Sequence, residues 1–187
     1  TPPNSILSGL VGSEMCIRDR SNLCQEITLP TEPLQHIDGE GEIALCILSA
    51  INVGKLVYFD DLETLCDLSV RALDEVIEHQ GYPVKAAEIS TKARRSLGVG
   101  YIGLAHYLAR TGYNYSEKGA WEAVDELTEH FQYYLLKASN TLAKEKGKCE
   151  YFDRTKYSDG VLPIDTYKKE VDEITNRKLS LDWESLR

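Results

Sequence analysis

The chain reads as an α/β fold rich in helix, and three observations predict this. An apolar run from Ile43 to Leu48 is bounded by Gly41 and Ser49, the pattern of a strand covered on both faces. Two long stretches, starting near Asp60 and Glu117, repeat apolar residues at helical spacing. Between them, Ser96 to about Arg110 passes from a strand-like segment into a helical pattern.

Each element has its own signal. Asn22 to Glu26 suits an extended segment that continues through Ile27, Leu29 and Pro30. After the Ile43–Leu48 strand, Asp60 with Glu63 three residues on has capping-box spacing, with Asp in place of Ser or Thr. Leu62, Leu65, Cys66, Ser69, Leu73, Val76 and Ile77 then form a helical stripe, which Gly81 and Pro83 stop. Cys66 lies inside that stripe, so packing is its expected role. The Ser96–Arg110 unit follows. A long helix is expected from Glu117 to Lys146, burying Trp121, Val124, Leu127, Phe131, Leu135, Ala138 and Leu142 and stopping at Gly147. Asp165 is expected to open a last short helix carrying Val171 and Ile174. No internal repeat or low-complexity tract interrupts the chain.

Composition removes several function classes. The 187 residues carry a net charge of −9, which argues against a nucleic-acid surface built from clustered cations. No apolar run approaches the twenty or so residues of a membrane helix. The five cysteines form no CxxC pair and, without a secretion signal, read as thiols of a cytoplasmic protein. The four histidines are well separated, and no His or Cys pair has zinc-ligand spacing, so no metal is expected. Leu10 to Arg20 looks like translated adapter sequence. A targeting peptide would need a basic start and an apolar core of sufficient length. Residues 1–20, with Cys16, are therefore set apart from 21–187.

Two motifs carry candidate chemistry. In an extended segment side chains alternate faces, so Asn22, Cys24 and Glu26 project together: an amide, a thiol and a carboxylate. A cysteine in such a place more often packs as a small hydrophobe than reacts. The second motif, Gly98-Val99-Gly100-Tyr101-Ile102-Gly103, fits GxGxxG and runs into a helical pattern, as a dinucleotide-binding turn would. Its flanks disagree. Lys92, Arg94 and Arg95 crowd the place of a buried first strand, and no acidic strand end follows about twenty residues on. Small glycines letting a strand turn closely into its helix explain it better.

The run Ser21 to Thr31, then Gly41 to Cys46 and Ser49 to Gly54, closely resembles the large (alpha) subunit of class I aerobic ribonucleotide reductase. The resemblance resumes at Arg94 to Gly100 and continues through Gln132 to Asn140 and Leu162 to Lys169, in collinear order. It implies a partial ten-stranded α/β barrel, its second half, with a finger loop that carries the radical cysteine. It also implies a fragment of ribonucleoside-diphosphate reductase, the cytoplasmic enzyme that makes deoxyribonucleotides for DNA synthesis.

Within that resemblance, Cys24 matches the cysteine that becomes a thiyl radical and abstracts the 3' hydrogen of the ribose. Glu26 matches the carboxylate that takes the 3' hydroxyl proton, and Asn22 the amide that orients the ribose hydroxyls. Asn22, Cys24 and Glu26 are thus the implied substrate-binding residues as well. Cys46 matches one of two cysteines that reduce the substrate and end as a disulfide. Read from its apolar surroundings alone, Cys46 is expected to be a core residue; the match from Glu42 to Cys46 reverses that preference. Cys149 reads as a surface thiol without an assigned role. Tyr133 and Tyr134 are not the family's radical-relay pair: adjacent helical residues point about 100° apart, so one of them should be helix surface.

The resemblance also implies what this chain lacks. The nucleotide-sensing region that takes ATP- and dATP-type effectors, the first half of the barrel with the partner cysteine, the phosphate-binding turn, the relay tyrosines and the carboxy-terminal cysteine pair have no counterpart here. The fragment is thus expected to bind no cofactor and to be inactive alone. The implied partners of the complete protein are a ribonucleoside diphosphate, a radical-generating small (beta) subunit that contains the metal, thioredoxin or glutaredoxin as reductant, and a second alpha subunit. Two other classes stand beside this reading. One is a Rossmann-type nucleotide-binding oxidoreductase, which requires a parallel open sheet reversing order beside Gly98. The other is a non-catalytic helical interaction module, favoured if the strands fail to form.

Overall fold

The computed structural model describes residues 29–187 except positions 37, 40, 167, 168, 176 and 177. They fall into two compact units. One joins the chain up to Cys46 with Gly81–Thr91, and the other joins Ile47–Gln80 with Lys92–Arg187.

The larger unit starts with β1 (Leu48–Asn52), a 3-10 turn at Val53–Lys55 and α1 (Asp61–His79). Next in sequence is α2 (Lys85–Arg94), whose residues up to Thr91 belong to the smaller unit. Then come β2 (Gly98–Ile102), α3 (Leu104–Thr111), α4 (Lys118–Lys146) and α5 (Val171–Thr175). β1 and β2 are parallel, from Leu48 opposite Gly98 to Asn52 opposite Ile102. Parallel neighbours cannot share a tight hairpin, so the chain crosses over through α1 and α2. Among the described residues this pair is the whole sheet, with no reversal of strand order beside Gly98.

The strand is displaced from where the apolar run puts it. Ile43 to Ile47 is not part of the ladder; β1 begins at Leu48. A ladder needs a partner, and β2 supplies its first rung only where the Gly98 N–H donates to the Ile47 carbonyl at 2.9 Å. The short helix α2 escapes the sequence reading because Ala86, Ala87, Ser90, Thr91 and Ala93 are its buried face. Two of these five are polar and the other three are alanines, so no stripe of large apolar residues announces it.

α1 buries Leu62, Cys66, Val70, Leu73 and Ile77, while Leu65 and Val76 turn outward. The capping box does not form. Asp60 is itself helical in backbone (φ −63°, ψ −25°) and its side chain caps nothing. Leu62 and Cys66 pack with Ile51, Val53, Leu56, Leu127 and Phe131 into one core, and Val70 packs with Ala138 and Leu142 into another. A full Leu burial of the kind Leu62 and Leu127 make contributes about 2 kcal/mol. Cys66 is fully buried there, and burial, with Glu63 adding to it, pushes its thiol up to about 12. That is a packing cysteine.

α4 follows its expected stripe except at its start. Trp121 is 44% exposed, its indole N–H donating to the Tyr115 carbonyl at 2.8 Å. Glu129, by contrast, is buried, which no apolar stripe could signal. Its Oε1 accepts the backbone N–H groups of Ser180 (2.7 Å) and Leu181 (3.2 Å) and the Trp183 indole N–H (3.4 Å). Trp183 packs edge-on against Tyr133 with ring centroids 5.4 Å apart. Tyr133 is therefore core and Tyr134 half-buried; neither is plain helix surface.

Asp165 does not open the last helix; it ends a 3-10 turn, Pro163–Asp165, and α5 starts only at Val171. The Arg187 guanidinium grips its carboxylate through two hydrogen bonds of 2.7 and 2.9 Å. With the Leu162 N–H, this holds the carboxyl at about 2, against an ordinary 3.8. A depressed carboxyl stabilises the fold above its ordinary value and loses that contribution as pH falls through the depressed one. The Arg187 contact should therefore persist to pH 4 and be lost near pH 2. An NMR titration of the Asp165 carboxyl carbon checks this, and a midpoint near 3.8 contradicts it.

The glycine motif serves packing at one position. Gly103 caps α3 in the left-handed region (φ +79°), where a Cβ would lie 2.4 Å from Asn52 Oδ1. From the end of α3, Arg110 Nη1 donates to the carbonyls of Gly54 and Leu56 at 3.1 and 2.8 Å, tying the helix to the turn after β1. In the full-length protein, Gly103→Ala should destabilise this unit by about 2–4 kcal/mol, from the left-handed penalty plus the displaced Asn52 side chain. A denaturation midpoint equal to that of the parent would refute it. Among the described residues no helix is long and apolar enough to cross a membrane.

Candidate functional site

Of the four candidate residues the structure describes one. Asn22, Cys24 and Glu26 lie outside the described residues, as does all of the 1–20 segment. Cys46 is described: a half-buried free thiol at the end of a segment without regular secondary structure.

The smaller unit fixes that segment at its start. Gly41 has φ +102°, and a Cβ there would stand 2.3 Å from the Pro33 carbonyl oxygen and 2.5 Å from Leu34 Cα. Only glycine lets the chain pass so close to another backbone. The next residue, Glu42, is 5% exposed and bridges back to Glu32 twice. Its N–H donates to the Glu32 carbonyl at 3.2 Å, and its Oε2 accepts the Glu32 N–H at 3.0 Å. A carboxylate accepting a backbone N–H makes a charge-assisted bond, stronger than a neutral one. The Ile43 N–H then donates to the Ala86 carbonyl at 3.2 Å, joining the segment to the first turn of α2. Three residues later comes Cys46.

Cys46 thus stands ahead of β1, not within an apolar strand as its neighbours suggested. Immediately after it the chain enters the other unit, where Ile47 is buried and its carbonyl receives the first ladder bond. A thiol that is free, half-buried and carried on a segment pinned upstream can meet a small reactant or another thiol without moving its backbone. The two other free cysteines among the described residues differ. Cys66 is sealed, and Cys149 is half-buried rather than a surface thiol. Burial pushes the Cys149 thiol up, against backbone hydrogen bonds from Tyr151 and its own N–H that lower it. A raised thiol forms less of the reactive thiolate.

Gly41 and Glu42 are the supporting residues; sequence reasoning used Gly41 only as a strand boundary and Glu42 only within a matched run, and assigned neither a supporting role. Gly41 had a visible signal in the closely spaced Gly39 and Gly41. Glu42 had none, because burial of a carboxylate beside a distant backbone N–H leaves no local pattern.

Residues 15–187 match the family model described as ribonucleotide reductase, barrel domain. The ribonucleoside-diphosphate reductase subunit alpha of Haemophilus influenzae is 58% identical over 169 residues, covering 90% of this chain and 22% of the relative. The ribonucleoside-diphosphate reductase 1 subunit alpha of Escherichia coli is 53% identical over 169 residues, with the same two coverages. The corresponding subunit alpha of Enterobacteria phage T4 is 44% identical over 170 residues, again 90% of this chain and 22% of the relative. The chain therefore spans about 22% of the length of the curated relatives it matches.

Proposed function

This chain belongs to the ribonucleotide reductase barrel-domain family, and on that premise we propose that the complete protein reduces ribonucleoside diphosphates to 2'-deoxyribonucleotides by thiyl-radical chemistry. One observation carries the reading: a single family match runs through residues 15–187, so Cys24 and Cys46 both fall inside it.

Cys24, as a thiyl radical, takes the 3' hydrogen of the ribose. Glu26 accepts the proton of the 3' hydroxyl, which helps the 2' hydroxyl leave as water. Asn22 holds the ribose hydroxyls by hydrogen bonds and adds no charge beside the radical. Cys46 and a second thiol give up two hydrogens' worth of reducing equivalents and close to a disulfide. The 3' hydrogen then returns from Cys24 to the sugar, which restores the radical. In this reading the segment is part of a ten-stranded barrel, with 22–26 on its finger loop and the β1–β2 pair among its strands. The radical comes from a metal-containing small subunit, and thioredoxin or glutaredoxin reopens the disulfide. A second alpha subunit completes the dimer, and ATP and dATP act on parts of the complete protein outside this segment. The setting is cytoplasmic, and the 187-residue chain is inactive by itself.

The test uses the full-length protein with its small subunit and a ribonucleoside diphosphate. Glu26→Gln should lower kcat by about 10²-fold, because an amide cannot accept the 3' hydroxyl proton. The KM should move little, since the amide still fits the carboxylate's place. Wild-type turnover in Glu26→Gln would remove the general-base role. No deoxynucleotide from the parent protein would remove the function.

A further inference from the structure

We propose that Arg95 is a positioning residue that holds the start of β2 against Ile47 and so fixes the Ile47–Leu48 peptide, one residue beyond Cys46. The proposal rests on the reading of Cys46 as a reducing thiol.

Arg95 is the one non-glycine residue with positive φ (48°) among the described residues. An L-residue held in the left-handed region is strained and persists only where its surroundings over-determine it. Here the surroundings are an ion cluster. Arg95 Nε donates to Asp74 Oδ1 at 2.7 Å, Nη1 to Glu78 Oε1 at 2.6 Å and Nη2 to the Asp74 carbonyl at 3.1 Å. Asp74 is buried, and its second oxygen, Oδ2, accepts from Lys146 Nζ at 2.9 Å. One carboxylate thereby joins α1, the last residue of α4 and the residue after α2. Burial pushes the Asp74 carboxyl up, but Lys146 and Arg95 outweigh it and hold it below its ordinary value, so it is charged at neutral pH.

Arg95 lies three residues before the ladder. Leu97 packs against Val70, Ala138 and Leu142, and the Gly98 N–H then makes the first rung to the Ile47 carbonyl. The left-handed turn at Arg95 sets the direction in which the chain enters β2, and the guanidinium fixes that turn against α1. Glycine would adopt the same φ without strain but would leave the turn unanchored. An arginine where glycine is easier points to a use for the side chain. That use is to set the rung on Ile47, the neighbour of Cys46.

The experiment uses the full-length alpha subunit with its radical-generating small subunit and a ribonucleoside diphosphate. Arg95→Gly keeps the backbone conformation and removes the clamp. It should lower kcat about tenfold with KM within about twofold, since small misplacements of a reacting group cost rate before binding. The alkylation rate of Cys46 by iodoacetamide, followed by peptide mass spectrometry, should change severalfold. Arg95→Lys, which keeps the charge but not the fork, should recover part of the kcat. Unchanged kcat and Cys46 labelling in Arg95→Gly would overturn the proposal, whatever its melting temperature. If Arg95→Gly does not fold, Glu78→Gln decides: it removes an exposed arm of the clamp and should lower kcat about two- to threefold. Wild-type kcat there would overturn the proposal. Cys46→Ser separates the two readings, because normal product formation by that variant sinks the reducing-thiol role alone. A shifted Cys46 labelling rate in Arg95→Gly would still uphold the positioning.

Discussion

Replacing Cys24 by serine in the full-length protein should abolish deoxynucleotide formation while leaving the fold and nucleotide binding intact. A hydroxyl is close to a thiol in size, so the substitution is sterically conservative. The chemistry is not conserved. An S–H bond and a ribose C–H bond are close enough in strength for a hydrogen to pass reversibly between them. An alcohol O–H bond is far stronger, so the radical cannot be delivered to the serine oxygen. Each 1.4 kcal/mol added to a barrier costs about tenfold in rate, and the difference in bond strength exceeds that many times over. The measurement follows deoxynucleotide product, nucleotide affinity and the small-subunit radical together. Turnover by Cys24→Ser would sink the thiyl assignment and the proposed function with it.

Cys46→Ser should fail later in the reaction. Hydrogen abstraction at the 3' carbon still starts, because Cys24 and Glu26 are intact. The reducing step then lacks one of its two thiols, so the substrate radical has no route to product and decomposes. Deoxynucleotide should fall to background, while free base is released and the small-subunit radical is lost over a few turnovers. The half-buried, unpaired state of the thiol is what makes this role feasible; a sealed cysteine such as Cys66 could not exchange with a reductant. Cys66→Ser is thus the matched control. It should cost stability, through a hydroxyl in an apolar core, and leave the reaction sequence unchanged. Clean product without base release from Cys46→Ser would remove Cys46 from the reducing pair.

The contrast between the two cysteines shows how far local pattern reaches. Cys66 was legible because its neighbours Leu62, Leu73 and Ile77 recur at helical spacing, and periodicity is enough to assign a buried face. Cys46 was not legible from its surroundings, since an apolar run suits a core residue as well as a site. The match in Glu42 to Cys46 singled it out, and its burial and free thiol came from the structure. For Asn22, Cys24 and Glu26 the assignment stays with the motif and the family, because these positions lie outside the described residues.

By itself the sequence determined the α/β class, the two long helices, the strand-to-helix unit at Gly98 and the family, because each is written in residues close together along the chain. Helical periodicity, a glycine stop and a collinear motif need no knowledge of distant partners. Tertiary structure alone decided where β1 begins, since the rung from Gly98 to Ile47 joins residues some fifty positions apart. It alone decided that Glu129 is buried, because the N–H groups that satisfy it come from Ser180, Leu181 and Trp183. It alone gave Arg95 its left-handed turn, through carboxylates on α1. The physical reason is common to all three. A buried polar group or a ladder bond is stable only when its partner arrives, and that partner is chosen by the packing of the whole unit rather than by its neighbours in the chain.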